Sequence, residues 1–147
     1  MELSKRLNAV AGLVTEGASV ADIGTDHGYV PIYLVKNKIA SKVIAMDINR
    51  GPLERARMHI IGHGLKGQIE TRLSEKVEDI EKTKEGYEIK TQNGKLCALN
   101  VVCAAGLYSG GQKIGSNGSL FRILKQKGYK TVTVTPAIVQ VKTENSI

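Results

Sequence analysis

Residues 19–30 read Ser-Val-Ala-Asp-Ile-Gly-Thr-Asp-His-Gly-Tyr-Val, and they limit the fold of this chain more than any other stretch. A short apolar run meets a turn with Asp22, Gly24, Asp26 and Gly28 at every second place, and a helix follows. Gly24 and Gly28 accept backbone angles closed to other residues and let a ligand approach the main chain. The helix behind them points its free N–H groups toward that ligand. About twenty residues on, as in the Rossmann unit, Val43-Ile44-Ala45-Met46-Asp47 is a second apolar run ending in a carboxylate. An acid at that place grips ribose hydroxyls in nucleoside-binding folds.

The turn also selects among nucleosides. Dinucleotide sites use G-x-G-x-x-G, whose middle glycine makes room for a pyrophosphate. Here an acid opens the turn, as D-x-G-x-D-x-G. A carboxylate attracts the cationic methionyl group of S-adenosylmethionine (SAM) and repels a pyrophosphate. SAM is therefore the expected cofactor. Its expected contacts are Asp22, Gly24, Thr25, His27, Gly28 and Tyr29 on the turn, with Asp47, Ile48 and Asn49 after the second strand.

The chain has 147 residues, room for one domain with a real core, and its single Phe and lack of Trp make that core aliphatic. A net charge of +7 is spread over both halves, which permits nucleic-acid binding without requiring it. Cys97 and Cys103 show no metal spacing and lie in apolar runs, so buried free thiols in a reducing compartment are expected. No window holds about 18 apolar residues and no signal-peptide core opens the chain. The expectation is a cytoplasmic protein with no membrane contact.

Periodicity predicts a helix over 2–15 with Leu3, Leu7, Val10, Ala11 and Val14 on one face. Lys5 and Arg6 lie on the other face, where RNA phosphates are possible contacts. Helices follow over 31–38 and 52–64, with strands over 42–47 and 68–73. His59 and His63 share a face of the third helix, but no third ligand accompanies them, so no metal is expected. Residues 74–85 are highly charged and suit a short surface helix or a linker. Asn93-Gly94 between alternating runs predicts a β-hairpin, and 100–106 reads as a buried strand. A glycine-rich loop leads to a helix over 119–127, and 129–141 alternates β-branched residues around Pro136. The fold class expected is α/β: a Rossmann-like, mostly parallel sheet with a helical amino-terminal cap and a β-hairpin insertion.

Two resemblances divide the chain near residue 74. Residues 3–73 resemble the TrmK family of SAM-dependent tRNA adenine-N1 methyltransferases. The resemblance rests on Leu3-Ser4-Lys5-Arg6-Leu7, the run Ala21-Asp22-Ile23-Gly24-Thr25-Asp26-His27-Gly28-Tyr29-Val30-Pro31, and Gly51-Pro52. It implies that Asp22, Gly24 and Gly28 line the methionine end of SAM and that Asp47 takes the ribose. Asp26 is then the catalytic residue, closest to the reacting centre, and tRNA is the partner. The family pattern stops after the third strand: Ser74-Glu75-Lys76 stands where an Asp-Gly pair is expected, and a Gly-Met-Gly-Gly strand end is absent. Cofactor binding with weak or no methyl transfer is the resulting expectation.

Residues 85–144 resemble part of the BaiN/YhiN-like FAD-dependent flavoproteins, through Gly86–Leu96, Cys103-Ala104-Ala105-Gly106-Leu107, Gly115-Ser116-Asn117-Gly118 and Thr135-Pro136-Ala137-Ile138-Val139. This resemblance implies a chimera of a SAM-binding half (1–73) and a flavoprotein-like half (74–147) that together complete one domain. Its alternative cofactor is FAD, held by Ala104, Ala105, Gly106, Gly115, Ser116, Asn117 and Gly118. A folded scaffold without activity is the remaining alternative.

Overall fold

The computed structural model describes residues 2–73, 76–106 and 118–132. Its elements run α1 (Lys5–Ala11), β1 (Ala18–Ile23), α2 (Tyr29–Lys36), β2 (Ala40–Asp47), α3 (Arg50–Gly62) and β3 (Ile69–Leu73). Then come β4 (Val77–Thr83), β5 (Gly86–Thr91), β6 (Gly94–Ala98), β7 (Asn100–Cys103) and α4 (Ser119–Gln126).

Four strands form a parallel sheet in the order β3-β2-β1-β7. β1 sits inside this sheet, with Asp22 level with Ala45 on one side and Val102 on the other. Strands buried on both faces read as continuous apolar runs rather than alternating ones, which is why 18–23 and 43–46 stand out in the sequence. The chain leaves β1 toward β2 and returns to its other side at β7. That reversal opens a crevice at the carboxyl ends of the strands, where open α/β sheets take their ligands.

The two faces of the sheet are covered differently. On one side Val20, Val43 and Ala45 pack with Ala11, Ile32, Leu34 and Ile60 from α1, α2 and α3. On the other, Ala21, Ile23 and Met46 meet Val77, Ile80, Ile89 and Leu96 of a three-stranded antiparallel sheet, β4-β5-β6, together with Leu120 of α4. The result is three layers: helices, parallel sheet, antiparallel sheet. Ile32, Leu34, Met46 and Ile89 are wholly buried, and each contributes about 1.5–3 kcal/mol on hydrophobic transfer.

The expected α/β Rossmann-like class and the β-hairpin both stand. Residues 74–85 are the correction: 77–83 is strand β4, not a helix or linker. Val77 and Ile80 are three apart, a helical spacing, yet both point inward because the pairing register shifts between Val77 and Asp79. Such a bulge adds a residue and restores the inward face. Helix α1 also ends at Ala11, capped by Gly12, and not near residue 15. The two thiols are exposed, against expectation. Cys97 alternates outward between buried Leu96 and Ala98 on β6, and Cys103 ends β7 at the crevice. The alternating stretch expected over 129–141 lies outside the described residues from 133 onward, and 129–132 is not strand.

Candidate functional site

The turn after β1 is pinned by its own backbone. The N–H groups of Gly24 and Thr25 both donate to the Met46 carbonyl on β2 at 2.9 Å, and the Ala104 N–H donates to the Ile23 carbonyl at 2.8 Å. Gly24 has φ +88°, and a Cβ there would lie 2.6 Å from the Ala104 carbonyl carbon and oxygen. The room that glycine gives is thus filled by the Ala104-Ala105 backbone leaving β7. Gly28, at φ +72°, caps α2, and a Cβ on it would stand 3.2 Å from Ala56 Cβ on α3. Its role is close packing of α2 against α3 rather than a ligand wall.

A cavity of about 870 Å³ opens at the crevice. Asp22, Gly24, Asp26 and Tyr29 line it from the turn, Arg6, Leu7 and Val10 from α1, and Val101–Ala104 and Gly106 from the end of β7. Ile80, Tyr87, Leu120, Phe121, Leu124 and Tyr129 form an apolar far wall. That wall is what the sequence reading missed. Its residues come from β4, β5, α4 and the segment after α4, and no local pattern links them; only the apolar face of α4 hints at it. Of the expected contacts, Thr25 is buried behind the turn, and His27 and Gly28 lie outside the cavity lining. Asp47, at the end of β2, and Ile48 and Asn49 just beyond it also lie outside the cavity lining. Lys5 is exposed on α1 and does not line the cavity, whereas Arg6 does. Ala104 and Gly106 line it, Ala105 packs on Gly24, and Gly118 is the left-handed cap of α4. Gly115, Ser116 and Asn117 lie outside the described residues.

Three carboxylates dominate the electrostatics. Asp22 is 3% exposed, and its acid is pushed up to about 6, first by burial and further by the charge of Asp47. The nearby Thr25 hydroxyl partly offsets the rise, although Thr25 Oγ1 is buried and lies outside hydrogen-bond geometry with any described partner. Asp47 is also raised, by burial first and by Asp26 as well; the Asn49 N–H donated to Asp47 Oδ1 at 2.7 Å works against this. Asp26 carries an exposed carboxylate 3.2 Å from His27 Nε2. Desolvated acids with further carboxylates nearby favour a cationic ligand, which relieves both costs. Such a set opposes a pyrophosphate for the same reason. Cys103 keeps solvent exposure as a residue but sits in the crevice lining beside Val102 and Ala104, and that desolvation, with a lesser push from Asp22, raises its thiol to about 11.

Beside Asp26, three rings gather. His27 and Tyr29 stack with centroids 5.6 Å apart, and His59 of α3 lies 6.0 Å from His27 and 5.7 Å from Tyr29. His59 Nδ1 meets the His27 carbonyl at 3.0 Å, a contact that requires the proton on Nδ1. No cluster of three metal-ligating side chains occurs among the described residues, and no helix among them is long and apolar enough to cross a membrane.

The family described as "Methyltransferase domain" matches residues 3–145, a span that crosses the junction expected near residue 74. The tRNA (adenine(22)-N(1))-methyltransferase of Bacillus subtilis (strain 168) is 43% identical over 82 residues, covering 56% of this chain and 34% of that protein. A Streptococcus agalactiae protein of the NADB-Rossmann superfamily is similar over 50% of this chain and 33% of its own, at 39% identity and TM-score 0.50. Streptococcus pneumoniae Sp1610, solved with S-adenosyl-L-methionine, is similar over 86% of this chain and 49% of its own, at 29% identity and TM-score 0.57. The chain thus spans about a third to a half of the length of these relatives.

Proposed function

The chain belongs to the methyltransferase-domain family, and from that premise we propose that it binds SAM at the β1 turn and serves methylation of adenine N1 in tRNA. The observation that carries the cofactor reading is the carboxylate set Asp22, Asp26 and Asp47: burial raises Asp22 and Asp47, with a further push from Asp47 on Asp22 and from Asp26 on Asp47. That chemistry suits a ligand with a cationic sulfonium and ammonium, and it disfavours the pyrophosphate of FAD. The relatives support the reading too: one is named a tRNA adenine-N1 methyltransferase and one was solved with SAM.

When bound, SAM supplies an electrophilic methyl group. Everything else falls to the chain. Asp22 and Gly24 form the floor against the methionyl end, and Asp47 is the acceptor for ribose hydroxyls, with Ile48 and Asn49 alongside. Asp47 accepts from the Asn49 N–H at 2.7 Å, which fixes its carboxylate at the end of β2. Methylation of a ring nitrogen leaves the adenine base positively charged, so an anion beside it stabilises the product-like transition state. Asp26, at the cavity and held by His27 Nε2, is the residue we assign to that role. Arg6 and Lys5 meet phosphates from α1. The apolar far wall excludes water from the reacting atoms.

We also propose that residues 1–73 carry the cofactor contacts while 74–147 completes the domain, supported by β7 joining β1 in the parallel sheet. Ser74-Glu75-Lys76 and the missing Gly-Met-Gly-Gly motif remove part of the expected base seat, so turnover is expected to be slow. The test is transfer of a tritiated methyl group from SAM to a tRNA transcript. Slow incorporation that Asp26→Ala abolishes fits the proposal. Incorporation unchanged in Asp26→Ala removes the role given to that residue.

A further inference from the structure

The ring stack beside Asp26 continues onto a surface that the cofactor reading does not use. His59 belongs to α3, whose outward side carries Arg55, His59 and His63 at intervals of four, so all three lie along one helical face. Lys66 follows just beyond the helix, and Met58 on the same side is 60% exposed. The only acid on α3 is Glu54, and Arg57 meets it at 3.5 Å. This face is therefore basic, with apolar surface interspersed.

The stack ties that face to the turn. His27 holds its ring there at φ +56°, a left-handed angle that is strained for a non-glycine residue. Asp26 meets its ring at Nε2, and His59 Nδ1 donates to its backbone carbonyl. A strained residue held between two partners presents a fixed flat ring, and Tyr29 beside it lines the cavity. Flat rings on which bases stack, next to cations that track a backbone, are the composition that binds unpaired nucleic acid. An acidic protein would need the cations but gain little from three clustered rings.

We propose that the outward face of α3, joined to the rings of His27, Tyr29 and His59, is the docking track for the RNA strand flanking the target base. Unpaired bases stack on the rings, and Arg55, His63 and Lys66 meet the phosphates. This rests on the RNA-substrate reading above and shifts the main RNA footing from α1 to α3.

The experiment is fluorescence anisotropy of a labelled, unmodified tRNA transcript with the full chain between 50 and 300 mM KCl. Arg55→Ala combined with Lys66→Ala weakens binding about tenfold, and the slope of log K against log salt becomes shallower by about 1.5, at roughly 0.7–0.9 per phosphate contact. His59→Ala weakens binding about fivefold and leaves that slope unchanged, because stacking on an aromatic ring carries no counterion. Lys82→Ala with Lys84→Ala removes the same charge at the exposed β4–β5 turn and leaves affinity within twofold. All variants keep the parent's thermal shift with SAM.

The proposal is overturned if the Arg55/Lys66 variant binds within twofold of the parent, or if the Lys82/Lys84 variant loses as much. Competition by polyglutamate equal to that by unlabelled tRNA overturns it as well, as does absence of RNA binding by the parent. A parent that binds RNA as tightly as the Arg55/Lys66 variant refutes this track alone; one that ignores RNA but responds to SAM refutes the RNA-substrate reading with it, and one that fails to respond to SAM refutes the cofactor reading separately.

Discussion

Asp22→Asn should make the free protein more stable and the cofactor site weaker. The parent carboxyl is pushed from 3.8 to about 6, chiefly by burial. A folded-state value above the unfolded one means that the stabilising contribution is full below about pH 4 and is lost as pH rises through about 6. Two pH units at 1.36 kcal/mol each amount to about 3 kcal/mol lost by pH 8. Asparagine keeps the shape and never ionises. The variant should therefore match the parent near pH 4 and exceed it by up to about 3 kcal/mol at pH 8, or about 6–12 °C in Tm. Asp47, also raised, leaves a shallower residual slope in the same direction. Affinity for SAM should fall at least tenfold, about 1.4 kcal/mol, on loss of a desolvated counter-charge. Urea melts at pH 4, 6 and 8, with and without SAM, read both effects. A variant whose stability runs parallel to the parent's over this range, or that is less stable at pH 8, would refute the reasoning.

Gly24→Ala forces a Cβ against the Ala104 carbonyl at a left-handed φ and should destabilise by about 3 kcal/mol in urea unfolding. Gly64→Ala, also left-handed but with open space around it, should cost only about 1–2 kcal/mol. Ile89→Ala empties a wholly buried site between the two sheets and should cost about 2–5 kcal/mol. In a Cys97→Ser background, iodoacetamide should label Cys103 about a hundredfold more slowly at pH 8 than free cysteine, with the rate climbing to beyond pH 10, because its thiolate is disfavoured.

The strand–turn–strand unit was legible because its signals are local. Asp22, Gly24 and Gly28 sit within seven residues of one another, and β1 and the 43–46 stretch of β2 are mostly apolar because both faces of the sheet are covered there. The end of β2 at Asp47 was legible too. The purpose of each glycine was not, since Gly24 answers to Ala104, some eighty residues away, and Gly28 to Ala56. Strand β4 was hidden by its bulge, which gives Val77 and Ile80 a helix-like spacing. The cavity's apolar wall was hidden for the same long-range reason: Ile80, Tyr87, Phe121 and Tyr129 converge only when the antiparallel sheet and α4 cover one face of the parallel sheet. Cys103 read as core because its neighbours Val101 and Val102 are apolar, but it ends its strand at the crevice.

The central claim is that this turn and the end of β2 hold SAM. Isothermal titration calorimetry of the full chain with SAM, beside Asp47→Asn, tests it most directly. Saturable binding of one SAM per chain that weakens at least tenfold in Asp47→Asn is the predicted result. Absence of binding at millimolar SAM, or equal affinity in the two proteins, would contradict it.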